Sequence, residues 1–78
     1  YYTKALDIFK EGLQIYQEAQ SHSGIAWSYT HLANTYQALG DLERARDLLE
    51  KSITLYEKYA PDNKSSRAWA LGNLGRVY

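Results

Sequence analysis

The chain has 78 residues, 45% hydrophobic and 14% aromatic, which allows at most one small domain with a core of its own. Nine basic residues balance nine acidic ones, so the clustered positive field of a nucleic-acid binder is missing and no nucleic-acid partner is expected. No cysteine is present for a disulfide or a thiolate metal site, and no apolar run approaches the ~20 residues that span a bilayer.

No membrane partner and no secretory signal pattern are therefore expected, and the lack of cysteine fits a cytoplasmic location. Eight tyrosines stand against one phenylalanine and no methionine. A core that rich in tyrosine needs hydroxyls that reach water or a partner at its edges.

Four helices and almost no loop follow from the apolar spacing. The first is predicted over 2–20, with Tyr2, Ala5, Ile8, Phe9, Gly12, Leu13 and Tyr16 at three- and four-residue steps. Ser21-His22-Ser23-Gly24 breaks the pattern and places His22 in a loop, and Ser21 or Ser23 can cap the next helix. That second helix runs over 24–39 with Ala26, Tyr29, Leu32, Ala33, Tyr36 and Leu39 on one face.

Gly40 supplies a left-handed stop and Asp41 a cap. So short a connection folds the third helix back antiparallel. The third helix covers 41–59 and turns Leu42, Ala45, Leu48, Leu49, Ser52, Ile53 and Tyr56 inward, with a solvated outer face of alternating charges. Pro61 ends it. Asp62, Asn63, Ser65 and Ser66 are candidate caps for a fourth helix from about 65, with Ala68, Leu71, Leu74, Gly75 and Tyr78 inside.

The chain also repeats itself. A shift of 42 places Ile25-Ala26-Trp27 on Arg67-Ala68-Trp69, Leu32 on Leu74, Ala33 on Gly75 and Tyr36 on Tyr78. A shift of 40 places Ala5 on Ala45, Phe9 on Leu49, Gly12 on Ser52 and Tyr16 on Tyr56. Small residues match small ones, and large apolar residues match large ones. That is the pattern of helices that nest closely and fill the gaps between them.

The run Leu32-Ala33-x-x-Tyr36, then Gly40, Ala45, Leu49 and Ser52, resembles the tetratricopeptide repeat, and Asn73-Leu74-Gly75-Arg76-Val77-Tyr78 restarts it. The 42-residue spacing resembles the long repeats of kinesin light chain and of the sensor arms of some signalling ATPases. Two departures stand out: the usual proline near Glu57 appears later, at Pro61, and the usual first-helix tryptophan is replaced by Tyr29 and Leu71. The resemblance implies an all-α fold, a right-handed α-solenoid fragment of four antiparallel helices in one 1–78 unit. Residues 1–20 are then the second helix of a repeat, 24–59 a full repeat, and 64–78 the first helix of the next. Tyr1, Tyr2, Val77 and Tyr78 crowd the two ends where a solenoid usually carries polar caps, so stacking on further repeats or on copies is expected.

Enzyme readings fail. His22 and His31 are nine apart and do not share a helix face as metal ligands would, no glycine-rich phosphate loop precedes a helix, and no serine has a base in a recognisable arrangement. Neither catalysis nor a cofactor nor a metal is expected. The better candidate is a peptide-binding groove on the concave side, which first helices line. It takes Trp27, Thr30, His31, Asn34 and Gln37 from the second helix and Trp69, Asn73 and Arg76 from the fourth.

The resemblance implies that Asn34 and Asn73 hold the backbone or terminal carboxylate of an extended peptide, while Thr30 stands where chaperone-binding members have lysine. The two tryptophans either brace the preceding helix or anchor a ligand. The functional expectation is a protein-interaction scaffold that binds a peptide or helix. Its alternatives are a structural unit that stacks end to end and a regulatory arm of a larger signalling protein.

Overall fold

A computed structural model describes residues 2–60 and 62–77, the Tyr2 side chain excepted. Over those residues the protein is all-helical: α1 Tyr2–Glu18, α2 His22–Ala38, α3 Leu42–Tyr59 and α4 Lys64–Val77. The expectations resting on Pro61 and on the Tyr1, Tyr2 and Tyr78 side chains lie outside the described residues.

Two corners are built alike. After α1 the Ser21 N–H donates to the Tyr16 carbonyl at 2.9 Å, and after α2 the Asp41 N–H donates to the Tyr36 carbonyl at 2.9 Å. This six-to-one closure needs a left-handed residue just before it. Gly40 takes that conformation at φ 87, and Gln20 takes it at φ 56. The glycine does so freely, whereas the glutamine carries a Cβ penalty of about 1–2 kcal/mol.

Each corner then caps the next helix. The Gly24 N–H donates to Ser21 Oγ at 3.3 Å, and the Arg44 N–H donates to Asp41 Oδ1 at 3.2 Å. Such caps contribute about 1 kcal/mol each. Because Ser21 rather than Ser23 is the cap, α2 starts two residues earlier than its apolar pattern implies. His22 is therefore helical, not in a loop, and its ring stacks on Tyr59 of α3 with centroids 3.6 Å apart. Ahead of α4 the cap is Asn63, whose Oδ1 accepts from the Ser66 N–H at 3.3 Å.

α2 packs against all three other helices, and α1 packs on α2. The core falls into two apolar patches. One joins Ala26, Tyr56 and Ala70 with Ile53, Leu55 and Ala60, and the other joins Ala33, Ala45 and Leu49 with Tyr36, Leu48, Leu74 and Val77. Between them, at the crossing of α2 and α3, sit two fully buried hydroxyls. Thr30 Oγ1 lies 2.6 Å from Ser52 Oγ, and the two stand 3.0 and 2.9 Å from the Ala26 carbonyl. Two protons serve these three contacts, so one hydroxyl donates to the other, which donates to the carbonyl.

The inward face of α4 departs from the apolar pattern. Ala70 and Asn73 are buried, while Ala68, Leu71 and Gly75 are exposed. A first helix has one face for the preceding helix and another for the helix that follows, and only the former is covered on α4. Leu39 and Leu42, assigned inward from spacing, are also about half exposed, because they flank the Gly40 corner.

The repeat shows in the packing of its tyrosines. Tyr56 is buried with its hydroxyl bonded to Ser66; burial raises its pKa above the ordinary value and that bond partly offsets the rise. Tyr16 stands 40 residues earlier and Gly24 stands 42 before Ser66. There the tyrosine ring lies so close that a Cβ on Gly24 would overlap it, with ring carbon Cγ at 2.6 Å. Gly24→Ala is therefore expected to destabilise the fold by about 1–3 kcal/mol, against the ~1 kcal/mol that alanine gains over glycine in a helix. Urea unfolding measures it; an unchanged or raised midpoint contradicts this account of the α1–α2 contact.

Candidate functional site

The stripe 27, 31, 34 on α2 and the stripe 69, 73, 76 on α4 share the same helical spacing and lie on neighbouring helices that touch. A row of rings crosses them. Phe9 of α1 meets Trp27 edge-on at 6.1 Å and stacks on His31 at 5.0 Å. His31 in turn lies 3.9 Å from Trp27 and 5.1 Å from Trp69, centroid to centroid. The row is continuous over three helices, with His31 at its centre. Such edge and offset contacts each contribute about 0.5–1.5 kcal/mol beyond the area they bury.

Two hollows share Trp69 as a wall. One, about 400 Å³, is lined by Trp27, His31, Ser65, Ser66 and Trp69. The other, about 460 Å³, is lined by Asn34, Gln37, Ala38, Trp69, Asn73 and Arg76. No carboxylate lines either, so the Arg76 guanidinium sets the sign of the local field. A wider hollow of about 490 Å³ lies between α2 and α3, lined by Tyr29, Asp47, Glu50, Lys51, Thr54 and Leu55. Its charges are of both signs and its outer side chains are exposed, so it has no convergent character.

Seven of the eight residues expected from the sequence line the joined α2–α4 hollows. Thr30 does not. It is fully buried against α3, bonded to Ser52 and the Ala26 carbonyl, and no ligand reaches it. Asn73 lies at the groove but is 1% exposed. Its amide donates to the Trp69 carbonyl at 3.1 Å and its oxygen accepts from Arg76, so both ends of the side chain are engaged within α4. Asn73 fixes Arg76 and closes the floor; it does not offer a free amide.

Trp27 braces Phe9 of α1 in an edge-to-face contact and remains 42% exposed. Phe9, Ala38, Ser65 and Ser66 were missed. The serines read as caps, and Phe9 read as part of the apolar face of the first helix from its three- and four-residue spacing.

The sequence model of one family, the tetratricopeptide repeat, matches residues 2–58 and again residues 24–78. The chain belongs to the tetratricopeptide repeat family. Tetratricopeptide repeats generally mediate protein–protein interaction or scaffolding and are typically non-catalytic. Neither a curated protein nor a solved structure matches the chain. Among the described residues, no helix is long and apolar enough to cross a membrane, and no three His, Asp or Glu side chains are grouped to hold a metal ion.

Burial among the rings lowers the pKa of His31 below its ordinary value of 6.5. The folded tetratricopeptide unit thus holds this proton less tightly than the unfolded chain does. Its contribution to stability is present above the unfolded value and lost as the pH falls through the lowered folded one. Urea midpoints are expected to fall between about pH 7.5 and about pH 5.5, and to fall less in His31→Phe. Equal losses in the two proteins contradict a buried, neutral His31.

Proposed function

We propose that the α2–α4 face is the concave side of a tetratricopeptide stack and holds an extended segment of a protein partner. The reading is carried by one observation: a half-exposed row of rings runs directly into a polar hollow that has a cation and no carboxylate. An apolar or aromatic side chain of the partner packs against Trp27, His31 and Trp69. Asn34 and Gln37 donate and accept along the partner's backbone, as amides can. Arg76, fixed by Asn73, faces a carboxylate, either a side chain or a chain end.

The surface of one full repeat and its flanking helices is small beside the ~800 Å² per partner of a standard stable interface, so the binding is weak. The 42-residue spacing supports a place among the long-repeat members that resemble kinesin light chain, and a cytoplasmic setting suits a chain without cysteine.

A fluorescent peptide library, read by anisotropy, identifies a binding sequence. Trp69→Ala is expected to weaken the hit by about 10–100-fold, in the range of a buried aromatic anchor. Arg76→Gln is expected to weaken it less and to flatten its dependence on salt. A hit that binds Trp69→Ala and Asn34→Ala as well as the parent chain removes this face as the site.

A further inference from the structure

Among the residues that line the two joined hollows, His31 is the one whose charge changes near neutral pH. It stands where three helices meet. Phe9 of α1 stacks nearly parallel to its ring, at 18°, while Trp27 of α2 and Trp69 of α4 tilt over it at 52° and 57°. The same imidazole lines the hollow of about 400 Å³ that the two tryptophans wall.

Nothing in this cluster answers a positive charge. On α2 the one other group that titrates near neutral pH is His22, nine positions away and stacked on Tyr59, and the helix has no acid. On α1 the residues one turn to either side of Phe9 are Ala5, Leu6, Gly12 and Leu13, and the charged residues Lys4, Asp7, Lys10, Glu11 and Glu18 are all exposed. From α4 come cations only, Lys64, Arg67 and Arg76. Among the described residues neither ring nitrogen of His31 has a hydrogen-bond partner. A proton on His31 therefore relies on the surrounding rings and on solvent in the hollow. Cation–π contact contributes about 0.5–2 kcal/mol, yet the pKa is still lowered from 6.5, so the loss of water outweighs the rings.

We propose that His31 gates the groove: the hollow takes an uncharged aromatic side chain while the imidazole is neutral and gives it up when the imidazole gains a proton. The gate rests on this face being the partner's groove, and it adds which anchor the hollow accepts and when. An inserted ring displaces the solvent that an imidazolium needs and brings no carboxylate to replace it. The neutral imidazole loses little, because a further ring extends the stack. Proton and anchor thus compete. A single proton is involved, so affinity is level above the folded pKa of His31 and falls by at most about tenfold per pH unit below it. The coupling is reciprocal, so a bound ring lowers that pKa further. An anchor carrying a carboxylate would supply the missing counter-ion and give the opposite sign.

N-acetyl-tryptophanamide is the probe, since it offers an indole and amides and does not titrate between about pH 5 and about pH 8. Its binding is followed by NMR at the Trp27 and Trp69 indole N–H signals, with circular dichroism checking helix content at each pH. One pH unit below the His31 midpoint, the dissociation constant is expected to be about three- to tenfold above its value at about pH 7.5, and unchanged in His31→Phe. In the parent chain, saturating probe is expected to lower the midpoint read at the His31 ring protons, which tests the gate even if His31→Phe fails to fold. Affinity that stays level or rises on acidification, an equal loss in His31→Phe, or a midpoint that the probe leaves unmoved overturns the gate and leaves the groove standing. A probe that shifts neither indole signal at about pH 7.5 overturns the groove and the gate together.

Discussion

Everything in this fold turns on how near α3 can come to α2. The crossing is set by Thr30 and Ser52, two short side chains whose hydroxyls share one carbonyl. A larger pair would hold the helices apart and open the apolar patches on either side. An apolar pair of the same size would pack but would leave no polar contact to mark the register. With the crossing fixed, Ala26 and Ala70 touch on one side and Ala33 and Ala45 on the other. The outer stripe of α2 then falls beside that of α4, so the placement of the ring row is a consequence of the core.

Much of this was legible in the sequence because helix spacing and small-residue positions are local signals. Gly40 and Asp41 announce their corner, and the α2 and α3 faces follow from three- and four-residue steps. Other features were not legible for physical reasons. Periodicity shows which side of a helix is apolar but not which side another helix covers, hence the misassigned inner face of α4. Thr30 and His31 are adjacent polar residues on α2, yet one is sealed against α3 and the other lies among rings. Only the neighbour decides that. Gln20 gave no warning of a left-handed turn, since nothing in its chemistry favours one.

The candidate site shows the same limit. Family resemblance placed two asparagines on the groove, and both line it. What the resemblance could not give is that Asn73 is occupied by its own helix while Asn34 is not among the buried residues. The two asparagines are not repeat equivalents either: the shift of 42 pairs Asn34 with Arg76 and Asn73 with His31. The ring row likewise draws on α1, α2 and α4, so no single repeat contains it.

The three connections are not equivalent in how much they can change. Between α1 and α2, and between α2 and α3, the six-to-one bonds and the caps engage consecutive residues, and an added residue would break both. Between Ala60 and Asn63 the described residues make short-range bonds and the Asn63 cap, and here the two repeat registers differ in length. That link is the natural joint of the polypeptide. Length variation between successive repeats therefore collects at this joint, while the full repeat of α2 and α3 stays whole beside it.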